Sequence, residues 1–244
     1  MKRLFRVFAM AGVFALNAVA VAVAAADDLP VTPYQAHYEV YASGFSVGDA
    51  VVTLTSPGPG DYRMTSDVTP NGLVALLASG KIREQVDGAI DKGAIQPSRY
   101  ERLLNTGRKS TEMQLQFDWA TGQVQARNGS DQAVLPLSPG TVDPLSLQLL
   151  VMGDLKRGHV PTQYSLIDKV EIKTYQIRDQ GEEMLDTSLG RLKTRRINQY
   201  TPGKTRMTTF WVAPELQYLL VRIVQEKNGK EEVRMDLRAV ERKP

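Results

Sequence analysis

The chain has 244 residues, with 30 basic and 27 acidic side chains, a formal net charge of +3 and no cysteine. The lack of cysteine excludes disulfides, thiol redox chemistry and thiolate metal sites together. Three of the 30 basic residues, Lys2, Arg3 and Arg6, stand at the very start, so the remainder balances at 27 against 27 and the premise for a nucleic-acid partner disappears.

The first element in chain order is an export leader. Lys2, Arg3 and Arg6 precede an apolar run from Val7 to Val23, and small residues Ala22, Ala24, Ala25 and Ala26 precede the acidic pair Asp27 and Asp28. The pattern predicts a cleavable signal peptide over residues 1–26 and a mature chain beginning near Asp27. A membrane anchor needs roughly 20 strongly apolar residues, whereas this run is alanine-rich and contains Asn17. No cysteine follows it, so acylation of a new N-terminal cysteine is excluded. The expected product is a single domain over 27–244, free in the periplasm and without a stable membrane anchor.

Beyond Ala26 the apolar period is mostly two, the signature of strands with one dry face. Tyr34, Ala36, Tyr38 and Val40 alternate with polar residues, as do Met113, Leu115, Phe117 and Trp119, and again Val233, Met235, Leu237 and Ala239. Turn residues punctuate the chain at Pro57–Gly60, Asp91–Gly93, Asn105–Gly107, Thr121–Gly122, Asn128–Asp131, Gln180–Gly181, Pro202–Gly203 and Asn228–Gly229. That spacing predicts about a dozen strands. The phase slips between Ile172 and Tyr175, which predicts a bulge there.

Two segments break the rhythm. Asp143 and Pro144 suit an N-cap and first helical position, Leu145–Leu155 is helical in composition, and Lys156, Arg157 and Gly158 suit an end. Because this helix is apolar nearly all round, burial against a sheet is expected. The second segment, Gly72–Gly80, carries Leu73, Val74, Leu76 and Leu77 between glycines and reads as a helical turn or a flap. The predicted fold is mainly β: a large antiparallel, strongly curved sheet or open half-barrel around one buried central helix.

The chain resembles the exported bacterial proteins grouped as domain of unknown function 3108. The resemblance rests on the Tyr38 strand leading to Gly44 and Gly48, the Gly93–Pro97 step with Tyr100, the Asp143-Pro144-Leu145-Ser146 helix start, and Trp211 near Pro214. It implies an envelope protein with no family-wide active site to carry over. The expected architecture is also similar to the lipoprotein carriers of the Lol pathway.

A search for chemistry finds little. Gly44-Phe45-Ser46-Val47-Gly48 matches the spacing of a serine-hydrolase nucleophile elbow, but that elbow needs a helix after the serine, and Asp49–Thr55 reads as strand. His37 and His159 have neither a partner histidine nor zinc-site spacing, and Glu182, Glu183 and Asp186 lack the spacing of a calcium loop. Asn128-Gly129-Ser130 has the form of a glycosylation sequon and reads as a turn. No catalytic residue, cofactor or metal is expected. Arg191, Lys193, Arg195, Arg196, Lys204 and Arg206 fall on two adjoining strand segments, which reads either as a patch for anions or an acidic partner or as a solvated outer face.

Three functions from different classes follow. The preferred one is a non-enzymatic module holding a lipid-like or other apolar ligand in a groove of the sheet, with Leu73, Val74, Leu76, Leu77, Leu149 and Met152 as gate and groove. The alternative is an envelope assembly or interaction factor without a small ligand. The third, a hydrolase using Ser46, lacks its structural context.

Overall fold

The computed structural model describes residues 29–71, 80–105 and 110–242. The expected leader, and Leu73, Val74, Leu76 and Leu77, lie outside the described residues. In chain order the elements are β1 (Tyr34–Ala42), β2 (Phe45–Thr55), β3 (Asp61–Pro70), β4 (Lys81–Asp91), β5 (Ala94–Asn105), β6 (Ser110–Asp118), β7 (Gln123–Asn128), β8 (Asp131–Pro136) and β9 (Thr141–Val142). Then come α1 (Ser146–Lys156), β10 (Gln163–Asp168), β11 (Glu171–Thr187), β12 (Gly190–Tyr200), β13 (Arg206–Ala213), a 3₁₀ turn (Pro214–Leu216), β14 (Leu219–Lys227) and β15 (Lys230–Arg242).

All fifteen strands form one unclosed sheet in the order β8-β7-β6-β5-β4-β3-β2-β1-β15-β14-β13-β12-β11-β10-β9. Two meanders, β1–β8 and β10–β15, are thus sewn together by the β1–β15 pair at mid-sheet. The sheet curls far enough that β8 approaches β11 and β9 approaches β5. The expected half-barrel around a helix is therefore the fold, with three corrections. Short β8 and β9 raise the strand count to fifteen. The sheet is mixed, because β9 runs parallel to β10.

The third correction concerns β11. Register is regular from Glu171 to Gln176, and the irregularity falls between Asp179 and Glu182 instead. Gln180–Gly181 is accordingly a bulge within a 17-residue strand and not a hairpin turn. Asp179 supports it by accepting the Gly181 N–H at 2.9 Å. A second bulge, where the partners of His37 and Tyr38 jump from Ala239 to Leu237, turns Ala239 outward and ends the alternation expected of β15.

The N-terminal meander covers its inner face with large side chains. Tyr34, Leu54, Tyr62, Met64, Tyr100, Met113 and Leu115 are all fully buried and join Leu145, Leu149 and Met152 of the helix in one core. A Cβ at Gly88 would lie 2.6 Å from the Gln96 carbonyl oxygen and from the Tyr62 ring. Glycine at that position lets β4 pass beneath Tyr62, whose hydroxyl shares a 2.8 Å hydrogen bond with Ser146 Oγ of α1.

The helix begins at Ser146, two residues after the predicted first position Pro144, while Asp143 still serves its first turn. Asp143 Oδ1 accepts the N–H groups of Leu145 at 2.9 Å and Ser146 at 3.0 Å, and the Asp143 carbonyl accepts that of Leu147 at 3.1 Å. This cap is wholly buried, and Oδ2 has no hydrogen-bond partner of good geometry. Burial pushes the carboxyl up from 3.8 to about 6, against the opposing pull of the Ser146 hydroxyl and the N–H donors.

Asp143 holds its proton more tightly in the folded chain than in the unfolded one. Its stabilising contribution is complete below about pH 4 and is lost as pH rises through about 6. Asp143→Asn keeps an accepting oxygen for the two N–H groups and removes the titration. Relative to wild type, it should gain on the order of 2–3 kcal/mol of stability between about pH 4 and pH 7, read from denaturant melts. Parallel pH profiles for the two proteins would contradict this role.

Candidate functional site

Helical spacing divides the apolar residues of α1 between two directions. Leu145, Leu149 and Met152 follow the core stripe, whereas Leu147, Val151 and Leu155 recur every four residues on another. The second stripe points toward the C-terminal meander. There Leu155, Ile197 and Val212 form a small buried cluster, with Val151, Val160, Ile177, Tyr218 and Leu220 half-covered around them.

Between this stripe and the sheet lies a groove of about 210 Å³. Its helix side is Pro144, Leu147, Gln148, Val151, Met152 and Leu155, continued by Val160. Its sheet side is Tyr164 and Leu166 of β10, Ile177 of β11, Ile197 and Gln199 of β12, Phe210 and Val212 of β13, and Leu220 and Ile223 of β14, with Tyr218 beside them. Cross-strand register makes the wall continuous. Ile197 stands opposite Phe210, Phe210 opposite Ile223, and Ile177 opposite Gln199.

Polar bonds at both ends of the helix fix the width of the groove. At the N-terminus these are the Asp143 cap and the Ser146–Tyr62 bond. At the C-terminus the buried Asp154 carboxylate accepts the Tyr164 hydroxyl at 2.9 Å and Arg157 Nη2 at 2.8 Å. Burial, and then the adjacent Asp154 carboxylate, push the Tyr164 phenol well above its ordinary range. Lys156 Nζ also donates to the Pro30 carbonyl at 3.0 Å, while Gly153 packs against the Pro30 ring.

Of the residues singled out in the sequence, Met152 lines the groove. Leu149 points the other way and is fully buried in the main core. Five of the six basic residues are ion-paired. Lys193 pairs with Glu182 at 2.6 Å, Arg206 with Glu232 at 3.0 Å, Arg191 with Asp186 at 3.9 Å and Arg196 with Glu183 at 4.0 Å. Arg195 pairs with Asp179, and Arg196 also lies over the Trp211 ring. Only Lys204 of the six has no ion pair among the described residues. The same pairs account for Glu182, Glu183 and Asp186, and no three potential metal ligands gather among the described residues.

Ser46 is exposed on β2, which runs on to Thr55 without a helix. The preceding Ser43-Gly44 pair, both at positive φ, forms the two-residue hairpin turn between Ala42 and Phe45. The Ser46 hydroxyl hydrogen-bonds the Glu39 carboxylate, and with Tyr41 and Arg238 it holds that group down at about 2. His159 is exposed in the turn after α1, and His37 is half-buried on β1.

Gln148, Ile177, Ile197, Gln199, Phe210 and Ile223 carry the groove and were not singled out in the sequence. Period two gave no signal for them in β13, because Phe210, Trp211 and Val212 are apolar in succession and the polar Thr209 is itself buried.

Fold and groove together define a class: an unclosed β half-barrel wrapped around one helix, with an apolar groove between them. The chain belongs to the family described as "Protein of unknown function (DUF3108)", which it matches over residues 34–238. A β-barrel-like protein of domain of unknown function DUF1849 from Brucella abortus is similar in structure, with a TM-score of 0.59 at 10% identity, covering 89% of this chain and 100% of that one. A protein with a YmcC-like fold from Bacteroides fragilis, provisionally described as exported, aligns at 10% identity with a TM-score of 0.40, covering 86% of this chain and 95% of its own. One provisionally described as a lipoprotein, from Parabacteroides distasonis, aligns at 10% identity with a TM-score of 0.39 over 87% and 96%. No curated protein matches the chain. The likeness to the Brucella abortus protein establishes the fold alone.

Tyr164→Phe tests whether the C-terminal end of the helix is held as described. It leaves the buried Asp154 one donor short and should lower stability by about 1–2 kcal/mol in urea unfolding. A variant as stable as wild type would show that this bond does not set the position of the helix.

Proposed function

We propose that the chain is an exported periplasmic binding module, not an enzyme, that holds a lipid-like apolar ligand between α1 and strands β10–β14. The observation that carries this reading is the second stripe of the helix. Leu147 and Val151 are half-buried and face a groove of about 210 Å³ where side chains would close an ordinary core. Protein interiors are packed with few voids larger than a water molecule, so an apolar space of this size is a place for a ligand. A packed interior would have favoured the assembly factor instead. Export is supported by the order of Lys2, Arg3 and Arg6, the apolar run and the alanines before Asp27. A non-catalytic role is supported by the groove lining, whose only titratable groups are the Tyr164 and Tyr218 phenols, and by the strand setting of Ser46.

Titration with the neutral fluorophore N-phenyl-1-naphthylamine tests this directly. Saturable enhancement is expected with wild type, weakened about tenfold or more by Val151→Trp, which fills the groove from the helix side. Ile197→Trp fills it from the sheet side and guards against a folding defect in the first variant, with thermal melts confirming both folds. No saturable binding by wild type, or full binding by both filled variants, would overturn the proposal.

A further inference from the structure

The lining of the groove also says which apolar ligands suit it. Its 17 residues include no Asp, Glu, Lys, Arg or His. Beyond it, the Tyr164 hydroxyl is held by Asp154, and Arg157 balances that carboxylate at 2.8 Å. An ionised head group entering here would lose its water and find no free countercharge.

Besides the Tyr218 phenol, two side-chain amides remain for recognition. The side-chain amides of Gln148 and Gln199 are half-buried in the wall and have no hydrogen-bond partner among the described residues. Each presents two N–H donors and a carbonyl acceptor. In an otherwise apolar wall, such groups fix the orientation of a ligand. At about 210 Å³, the groove is also smaller than the roughly 300–1,000 Å³ typical of drug-sized ligands, which suits one alkyl chain and not two.

Resting on the ligand-binding reading above, we infer that the groove selects a neutral single-chain amphiphile. Its uncharged head group, able to donate and accept hydrogen bonds, meets Gln148 and Gln199. The ionised fatty acid of the same chain length is disfavoured.

The test is displacement of N-phenyl-1-naphthylamine by decanamide and by decanoate at neutral pH, where decanoate is charged. Decanamide should compete about tenfold better or more. Gln148→Leu/Gln199→Leu should abolish that preference while still binding the fluorophore. The two single variants, each expected to reduce the preference in part, cover the case in which the double variant fails to fold. Equal or better competition by decanoate, or a preference unchanged in the leucine variants, would overturn the selectivity and leave the groove reading standing. Failure of the fluorophore itself to bind wild type would remove both.

Discussion

The shape of this protein follows from one shortage of cover. A sheet of fifteen strands presents a long apolar inner face, and the described residues supply one α-helix, of eleven residues, to cover it. A flat sheet would leave most of that face in water, at about 25 cal/mol for each Å² of apolar surface. Strand twist offers the alternative, and the sheet curls round the helix until β8 nears β11. The two meanders meet the shortage differently. β1–β7 fill their side with tyrosines, methionines and leucines, whereas β10–β14 bury Ile167, Leu219 and Val221 in the same core but leave Ile177, Leu220 and Ile223 half-covered beside a space.

An unfilled space persists only if its walls are held apart. Directional bonds at both ends of α1 do this: Asp143 and Ser146–Tyr62 at one end, Asp154 with Tyr164 and Arg157 at the other. Losing the partner of a buried polar group costs about 1–3 kcal/mol, so the helix cannot slide into the groove without breaking bonds it cannot replace. The outer face has its own ties. Arg222 and Arg234 both reach Asp236, and Arg238 reaches Glu39 and Tyr41, bridging β14, β15 and β1 across the mid-sheet seam. The groove is thus a consequence of where the helix is pinned, which links the capping residues to the proposed binding.

Much of the fold was legible because its signals are local. Tyr34-Gln35-Ala36-His37-Tyr38 shows its dry face by alternation alone, and the Asp143-Pro144 start fixes the helix by the chemistry of its free N–H groups. Gly181 misled because a glycine that permits a bulge looks the same in sequence as one that permits a hairpin. β9, at two residues, is too short to carry a period. The groove was only half legible. Met152 was found because the helix is apolar all round, but which stripe meets core and which meets space depends on β10–β14. Ile197, Phe210 and Ile223 become neighbours only through strand register. Leu149 packs into the main core for a reason the sequence hides: on the helix it resembles Val151, and only the packed N-terminal meander distinguishes them.

The central claim is that the space beside α1 stays apolar and open in the folded protein. Crystallography under xenon pressure tests it most directly, since xenon enters dry apolar cavities. A xenon peak is expected between Val151 and the Ile197–Phe210–Ile223 row, with the helix unmoved. A structure in which Phe210 or Tyr218 turns inward to fill that space, with no xenon bound, would contradict it.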